Sequence, residues 1–271
     1  MTTPAPLQPE IGVSTAAFYP AYLTEDALTA AAKLGFPVTE VFLQSREEYT
    51  PDFGRTLDRR RRACGMRVHS LHLHNDFFEL WSPYRRMLDE ARARFRHTLD
   101  IAVRLEAQAL TWHGIRFGFK NPAFVARFLD GVAWAAEQAR TAGVTLCLEN
   151  VSWCYLRTPE QIHALDEHGV PVGFTFDSFQ AGETPTDPVA LIHAMGGRLT
   201  TVHLADYDPA GPRHLPLGAG KLDWRAILCA LDAVSYAGPL IIELANVEDV
   251  TTLRASRTFI EQQIAHHNRR D

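Results

Sequence analysis

Four cysteines are few for 271 residues, and none of Cys64, Cys147, Cys154 or Cys229 sits in a C-x-x-C pair. That excludes a disulfide scaffold and a paired-thiolate zinc site. Cys147 and Cys229 lie in apolar stretches and read as small core residues. All four cysteines are expected to be reduced, which fits a cytoplasmic protein. No apolar run approaches the roughly 18 residues a membrane-spanning helix needs. Met1 to Glu10 carries three prolines but no basic start followed by an apolar core, so 1–10 reads as a loose arm rather than a signal peptide. The formal charge is −5, so no global field draws the chain to nucleic acid or anionic lipid. No G-x-G-x-x-G follows the first apolar run, which argues against a dinucleotide-binding open sheet.

What is present is alternation. Strand-type runs begin at Ile11, Val38, Arg67, Ala107, Val144, Pro171, Leu199 and Leu240. Helix-type segments separate them: Thr24 as N-cap with Ala27 to Leu34, Phe53 to Cys64, Pro83 to Leu105, and Pro122 to Ala142. Thr158 to Glu167, Asp187 to Met195, Asp223 to Ala233 and Val247 to Ala265 follow. Thr158-Pro159-Glu160-Gln161 has the N-cap, N1 proline and acidic first turn of a helix start. Several strand runs are continuously apolar, as strands covered by helices are. Eight such units in one chain of this length, with 46% hydrophobic residues, predict a single-domain α/β fold over 11–271, the closed (β/α)8 barrel. The long irregular stretch Asp206 to Lys221 follows the seventh strand, where loops of such length tend to carry function.

Four consecutive strand runs end in a metal-ligating side chain. They are Val144 to Glu149, Val172 to Asp177, Leu199 to His203 and Leu240 to Glu243, roughly 26 to 40 residues apart. In a barrel of β/α units the four ends share one rim. Three carboxylates there would repel one another without a cation. Glu149, Asp177, His203 and Glu243 are therefore the candidate ligands of one divalent ion. Oxygen-rich ligation with one imidazole suits Mn²⁺, Mg²⁺ or Co²⁺ and tolerates Zn²⁺.

These residues resemble the xylose isomerase-like TIM-barrel superfamily of sugar-phosphate isomerases and epimerases, which also contains endonuclease IV. The matching segments are Leu148-Glu149-Asn150, Phe176-Asp177, Val202 to Asp206, Arg213 to Trp224, and Ile242-Glu243. The resemblance implies the barrel, the metal and a sugar-like or polyol small molecule as partner. It also implies roles for histidines on earlier strands. His69, His72 and His74 are expected on one face of the third strand. His72 matches the family's third-strand histidine and His113 its fourth, both as substrate-facing residues. Gln180 stands where the family often has a histidine after the aspartate; it can hydrogen-bond a substrate hydroxyl but cannot carry a proton. Arg213 offers a fork for a carboxylate, phosphate or vicinal hydroxyls. Phe18, Trp112, Trp153 and Phe179 are candidate apolar walls.

The implied chemistry is isomerisation or epimerisation of a sugar or related polyol, with or without a phosphate, through a metal-stabilised enediolate. Glu149 and Glu243 are the candidate proton carriers, with Asp177 and His203 holding the ion. A dehydratase of an inosose- or dehydroshikimate-like substrate fits the same parts. A phosphodiester hydrolase of the endonuclease kind is disfavoured, because Gln180 and Pro212 replace two expected ligands of a third metal. A second metal at His72 and His113 stays open, as does a homodimer, since barrels of this type commonly pair. No nucleic acid or membrane partner is expected.

Overall fold

The computed structural model describes residues 7–117, 121–245 and 247–269. Among them eight parallel strands close into a barrel in the order β1 to β8. They are β1 (Ile11–Ser14), β2 (Val38–Phe42), β3 (Arg67–His72), β4 (Ala109–Trp112), β5 (Thr145–Glu149), β6 (Gly173–Asp177), β7 (Leu199–Leu204) and β8 (Leu240–Ile242). Pairing of β1 with β8, Val13 opposite Ile242, completes the ring. The outer layer holds α1 (Thr24–Lys33), α2 (Pro51–Cys64), α3 (Arg85–Arg104), α4 (Pro122–Thr141), α5 (Pro159–Glu167), α6 (Ser178–Gly182), α7 (Pro188–Met195), α8 (Trp224–Ala233) and α9 (Thr251–His267). The expected (β/α)8 architecture is the one observed. No helix among the described residues is long and apolar enough to cross a membrane.

Two kinds of core divide the work. Leu110, Trp112, Leu146, Leu148, Phe174, Phe176, Val202 and Ile242 are buried strand residues of the main hydrophobic core. Trp112, for instance, stacks on Trp81 at 6.1 Å and meets Phe128 of α4. The barrel's interior is instead rich in hydroxyls: Ser14, Ser70, Thr111, Thr175 and Thr201 are all buried. Burying a hydroxyl costs free energy unless it is hydrogen-bonded. These five have partners: Ser14 and Ser70 on Glu40, Thr111 on Glu40 and Thr175, and Thr201 on His69.

Several local expectations shift. Thr24 does not cap α1; Leu23 precedes the helix, and the Thr24 hydroxyl donates to Glu48 at 3.1 Å. Thr158 caps α5 in a capping box with Gln161. The last helix starts at Thr251, not Val247, because the Val247 amide donates to Ala17 and Asp249 caps the first turn. The short α6 is an element the sequence reading did not include. Cys229 is a correction: the surrounding Ile227-Leu228 and Ala230-Leu231 are buried, but the helical period turns Cys229 outward, where it is exposed. The four cysteines are free thiols. Residues 1–6 of the expected arm lie outside the described residues. Leu7 is buried, and its carbonyl accepts from the Asn268 amide.

Candidate metal centre

Parallel packing puts the C-terminal strand ends on one rim, and the four expected ligands arrive there together. Glu149 and Asp177 are the last residues of β5 and β6. His203 sits near the end of β7, opposite Asp177 in the ladder. Glu243 directly follows β8, its amide tied to the Leu204 carbonyl at 3.0 Å. One donor atom from each of the four lies within 4.8 Å of the others, and all four residues are buried.

His203 organises the set. Its Nδ1 lies 2.8 Å from Glu243 Oε2, 3.3 Å from Glu149 Oε1 and 3.9 Å from Asp177 Oδ2. Its Nε2 lies 2.9 Å from Glu40 Oε2. One ring nitrogen thus faces three carboxylates while the other is occupied by a fourth.

The charges are strained as they stand. Burial pushes the Asp177 carboxyl well above its usual range, and Glu149 and Glu243 push it further. Burial opposes a charge on His203, yet Glu243, Glu40 and Glu149 outweigh it and hold the imidazolium well above its ordinary range. Burial also pushes Glu149 up, but His113 and His203 pull it well below. A proton shared on Nδ1 and a raised Asp177 are how the protein alone balances this cluster. A divalent cation would balance it better, because it neutralises the carboxylates without protonating them. Three carboxylates around one imidazole nitrogen fit a hard or borderline divalent ion.

His72 and His113 belong to the same cluster. Both Nε2 atoms approach Glu149 Oε2, at 3.0 and 3.1 Å, and lie 3.2 Å from each other. Two further sets have donors close enough to converge on one ion: His72, His113 and Glu149, and, deeper in the barrel, Glu40, His72, His203 and Glu243. Burial pulls the His72 imidazolium down, but its hydrogen bond to Glu149 and the nearby Glu40 raise it overall. Alternation alone does not give the single face expected for His69 and His72: three residues apart, they face opposite sides of a regular strand. Between β2 and β3 the register slips by one residue, Thr39 pairing with Val68 but Glu40 with Ser70. The extra residue, His69, bonds the Thr200 carbonyl and Thr201 hydroxyl of β7 across the barrel, below the cluster. His74 leaves the cluster and stacks on Phe77 at 4.6 Å.

Gln180 and Arg213 are linked through Ser152 and Glu183. Asp177 Oδ1 caps α6 by accepting from the Gln180 amide at 2.6 Å. Gln180 Oε1 accepts from the backbone and hydroxyl of Ser152, each at 3.0 Å. The Ser152 hydroxyl lies 2.8 Å from Glu183, which in turn holds Arg213 at 2.6 Å. Arg213 lies over Phe179 and stays largely exposed; its guanidinium is outside the four-ligand set. Of the four aromatics, Trp153 stands edge-on to His113 at 5.4 Å and Phe179 stacks on His214 at 4.1 Å. Trp112 packs among Trp81 and Phe128, and Phe18 on Tyr22, both as core.

Asp206 shapes the long loop after β7. Its Oδ1 accepts from the Tyr207 and Leu222 amides and its Oδ2 from Gly218 N and Trp224 Nε1. The chain then turns through Gly218, at φ +87°, where a side chain is strained. Two functional residues were missed in the sequence: Glu40 and the loop clamp Asp206. A carboxylate in mid-run, between Val38-Thr39 and Val41-Phe42, was the available signal for the first.

A closed parallel barrel with three carboxylates and an imidazole gathered at its C-terminal rim belongs to the class of barrels able to hold a divalent cation. This chain is a member of the xylose isomerase-like TIM-barrel family, whose model matches residues 28–263. It is 26% identical over 194 residues to a putative L-ribulose-5-phosphate 3-epimerase of Escherichia coli K12, covering 65% of this chain and 68% of that protein. It is 31% identical over 170 residues to an L-ribulose 3-epimerase of Mesorhizobium japonicum, covering 60% of this chain and 55% of that one. Among solved structures, a D-tagatose 3-epimerase-like protein superposes with a TM-score of 0.81 at 19% identity, over 96% of this chain and 99% of that one. The fold of L-ribulose 3-epimerase superposes with a TM-score of 0.77 at 20% identity, over 97% of both chains.

Proposed function

We propose that the rim cluster is the active centre of a sugar epimerase that inverts the carbon beside the carbonyl of a ketose, with one divalent cation as cofactor. The observation that carries this reading is the grouping of Glu149, Asp177 and Glu243 about Nδ1 of one buried histidine. The names of the curated relatives, both ribulose 3-epimerases with or without a phosphate, agree with it.

Glu149, Asp177, His203 and Glu243 would hold the ion. Bound there, a divalent cation supplies Lewis-acid stabilisation of negative charge developing on substrate oxygen. The protein's own residues do the rest. Glu149 and Glu243 come from strands three positions apart around the ring, so they can address a substrate from different sides. One takes the proton from the carbon beside the carbonyl; the C–H electron pair moves into a carbon–carbon double bond and the carbonyl oxygen gains charge. The other returns a proton to the opposite face, the carbonyl re-forms and the centre is inverted. His72 and His113 bond Glu149 Oε2 and fix its direction. Gln180 and Arg213 are the proposed contacts to substrate hydroxyls.

Ketoses and ketose phosphates incubated with the protein and Mn²⁺ in heavy water should incorporate deuterium beside the carbonyl and give the epimer. Glu149→Gln should lower turnover at least about a thousandfold with the fold retained. Loss of water instead of inversion would move the chain to the lyase class, and exchange without cation would remove the metal.

A further inference from the structure

Glu40 lies outside the four-ligand rim set, in the middle of β2, with no solvent exposure. A fully buried carboxylate needs a specific reason. Its surroundings are all donors. Oε2 accepts from Ser70 Oγ at 2.8 Å, from Thr111 Oγ1 at 3.3 Å and from His203 Nε2 at 2.9 Å; Oε1 accepts from Ser14 Oγ at 3.4 Å. Four strands, β1, β3, β4 and β7, thus each contribute a donor to one carboxylate on a fifth.

This geometry assigns a proton to Nε2 of the His203 ring, because a carboxylate only accepts. In the free protein Nδ1 shares a second proton with Glu149, Asp177 and Glu243; a cation that displaced that proton would meet the Nδ1 lone pair among the three carboxylates. A carboxylate behind a ligating histidine also raises the basicity of the opposite nitrogen. We propose that Glu40 is a positioning residue: it fixes the Nε2–H tautomer and the ring orientation of His203, and so sets the cation affinity of the rim centre. The inference rests on the metal centre proposed above. It adds that the affinity depends on a residue that does not itself touch the ion.

The tautomer bears on the rest of the cluster. If Nε2 were the free nitrogen, the lone pair would face Glu40 and the deeper set it forms with His72 and Glu243, and Glu149 and Asp177 would lose their imidazole partner. The hydroxyls of Ser70 and Thr111 hold Oε2 where the imidazole N–H needs it. Ser14 reaches only the other oxygen, at longer range.

The test is direct cation binding, read without substrate. Mn²⁺ affinity is measured from the paramagnetic resonance of the free ion, and the geometry from the visible spectrum of the Co²⁺ form. Glu40→Gln keeps the side chain's size and one acceptor but removes the charge. It should bind Mn²⁺ about 10- to 100-fold more weakly than the unaltered protein and shift the Co²⁺ bands. Ser14→Ala removes the long contact to Oε1 and the acceptor of the Ala16 amide, leaves the Oε2 side of Glu40 intact, and should stay within about twofold in Mn²⁺ affinity. Equal affinity and spectrum for Glu40→Gln and the unaltered protein would overturn the inference while leaving the centre standing. An equal loss in Ser14→Ala would also overturn it, by reducing the effect to general disturbance of the core. An unaltered protein that binds no Mn²⁺ would remove the centre and the inference together. If Glu40→Gln fails to fold, the unaltered protein still decides. With ¹⁵N-labelled histidine and ¹¹³Cd²⁺, the metal–nitrogen coupling should fall on His203 Nδ1 with a proton on Nε2; coupling on Nε2 would overturn the proposal.

Discussion

The indole Nε1 of Trp224 donates to Asp206 Oδ2 at 3.1 Å, joining the first turn of α8 to the exit of β7. Three backbone amides complete the carboxylate's shell, and a Cβ on Gly220 would fall 2.4 Å from Oδ1. The loop 206–222 is therefore wrapped around one acceptor. Asp206→Asn would turn an amide NH₂ toward two of those donors. A buried donor left unpaired costs about 1–3 kcal/mol. Denaturant unfolding should show a loss of at least that size; an unchanged midpoint would mean the clamp contributes nothing.

Chelation should destabilise the fold measurably. A ligand present at a hundred times its dissociation constant stabilises by about 2.7 kcal/mol. For a chain of this size that corresponds to roughly 5 to 10 °C in melting temperature. A chelator titration followed by calorimetry checks this, and identical melting curves with and without Mn²⁺ would contradict the centre.

The effect of the cation should grow with pH. Burial and the neighbouring glutamates raise Asp177 above its ordinary 3.8, and Glu243, Glu40 and Glu149 outweigh burial to raise His203 above 6.5. Both groups bind protons more tightly in the folded chain. Their stabilisation is full below those ordinary values and is lost as pH rises through the raised ones. A cation displaces the same protons, so its affinity rises over that range. The melting-temperature gap between loaded and stripped protein should keep widening as pH rises above 6.5, the ordinary value of His203; a constant gap would contradict the assigned shifts. Glu40 works oppositely. Burial pushes it up, but His203, His72 and Ser70 hold it at about 2, so its contribution is present above 4.5 and lost as pH falls toward about 2.

Arg213 separates binding from folding, whereas Gln180 joins the two. The Arg213–Glu183 pair is exposed on the arginine side, and such pairs contribute about 0–1 kcal/mol. Arg213→Ala should leave the melting temperature nearly unchanged and raise KM. Gln180→Leu should raise KM by about 2- to 12-fold, the equivalent of one hydrogen bond, and lower stability by about 1–3 kcal/mol because the Ser152 amide loses its acceptor. Unaltered KM values in both would take these residues out of substrate contact.

The barrel was legible because its signal is repetitive: eight apolar runs, each followed by a helical segment with its own start and stop. The rim residues Glu149, Asp177, His203 and Glu243 were legible because a charged or imidazole side chain closing an apolar run breaks that pattern at a definite place. Glu40 was hidden for the converse reason. It sits inside its run, and a strand of that composition reads as ordinary core until the partner on β7 is seen. The short α6 was obscured because Asp177 does two things, offering one oxygen to the rim while the other caps a helix. Cys229 was misread from local apolarity where the helical period decided. The slip beside His69 leaves no trace in composition, since bulges are set by pairing with the neighbouring strand.

That slip has a further consequence. Because β3 carries one residue more than β2 opposite Thr39 and Glu40, a single stave presents two adjacent side chains to the barrel's axis. His69 there ties the floor to β7, and Ser70 steadies Glu40 just above it. Deleting His69 would bring Val68 and Ser70 into plain alternation beside Thr39 and Glu40, leaving His72 opposite Phe42 and cutting only the strut to β7. The extra residue thus braces the lower storey without setting the register of the upper one.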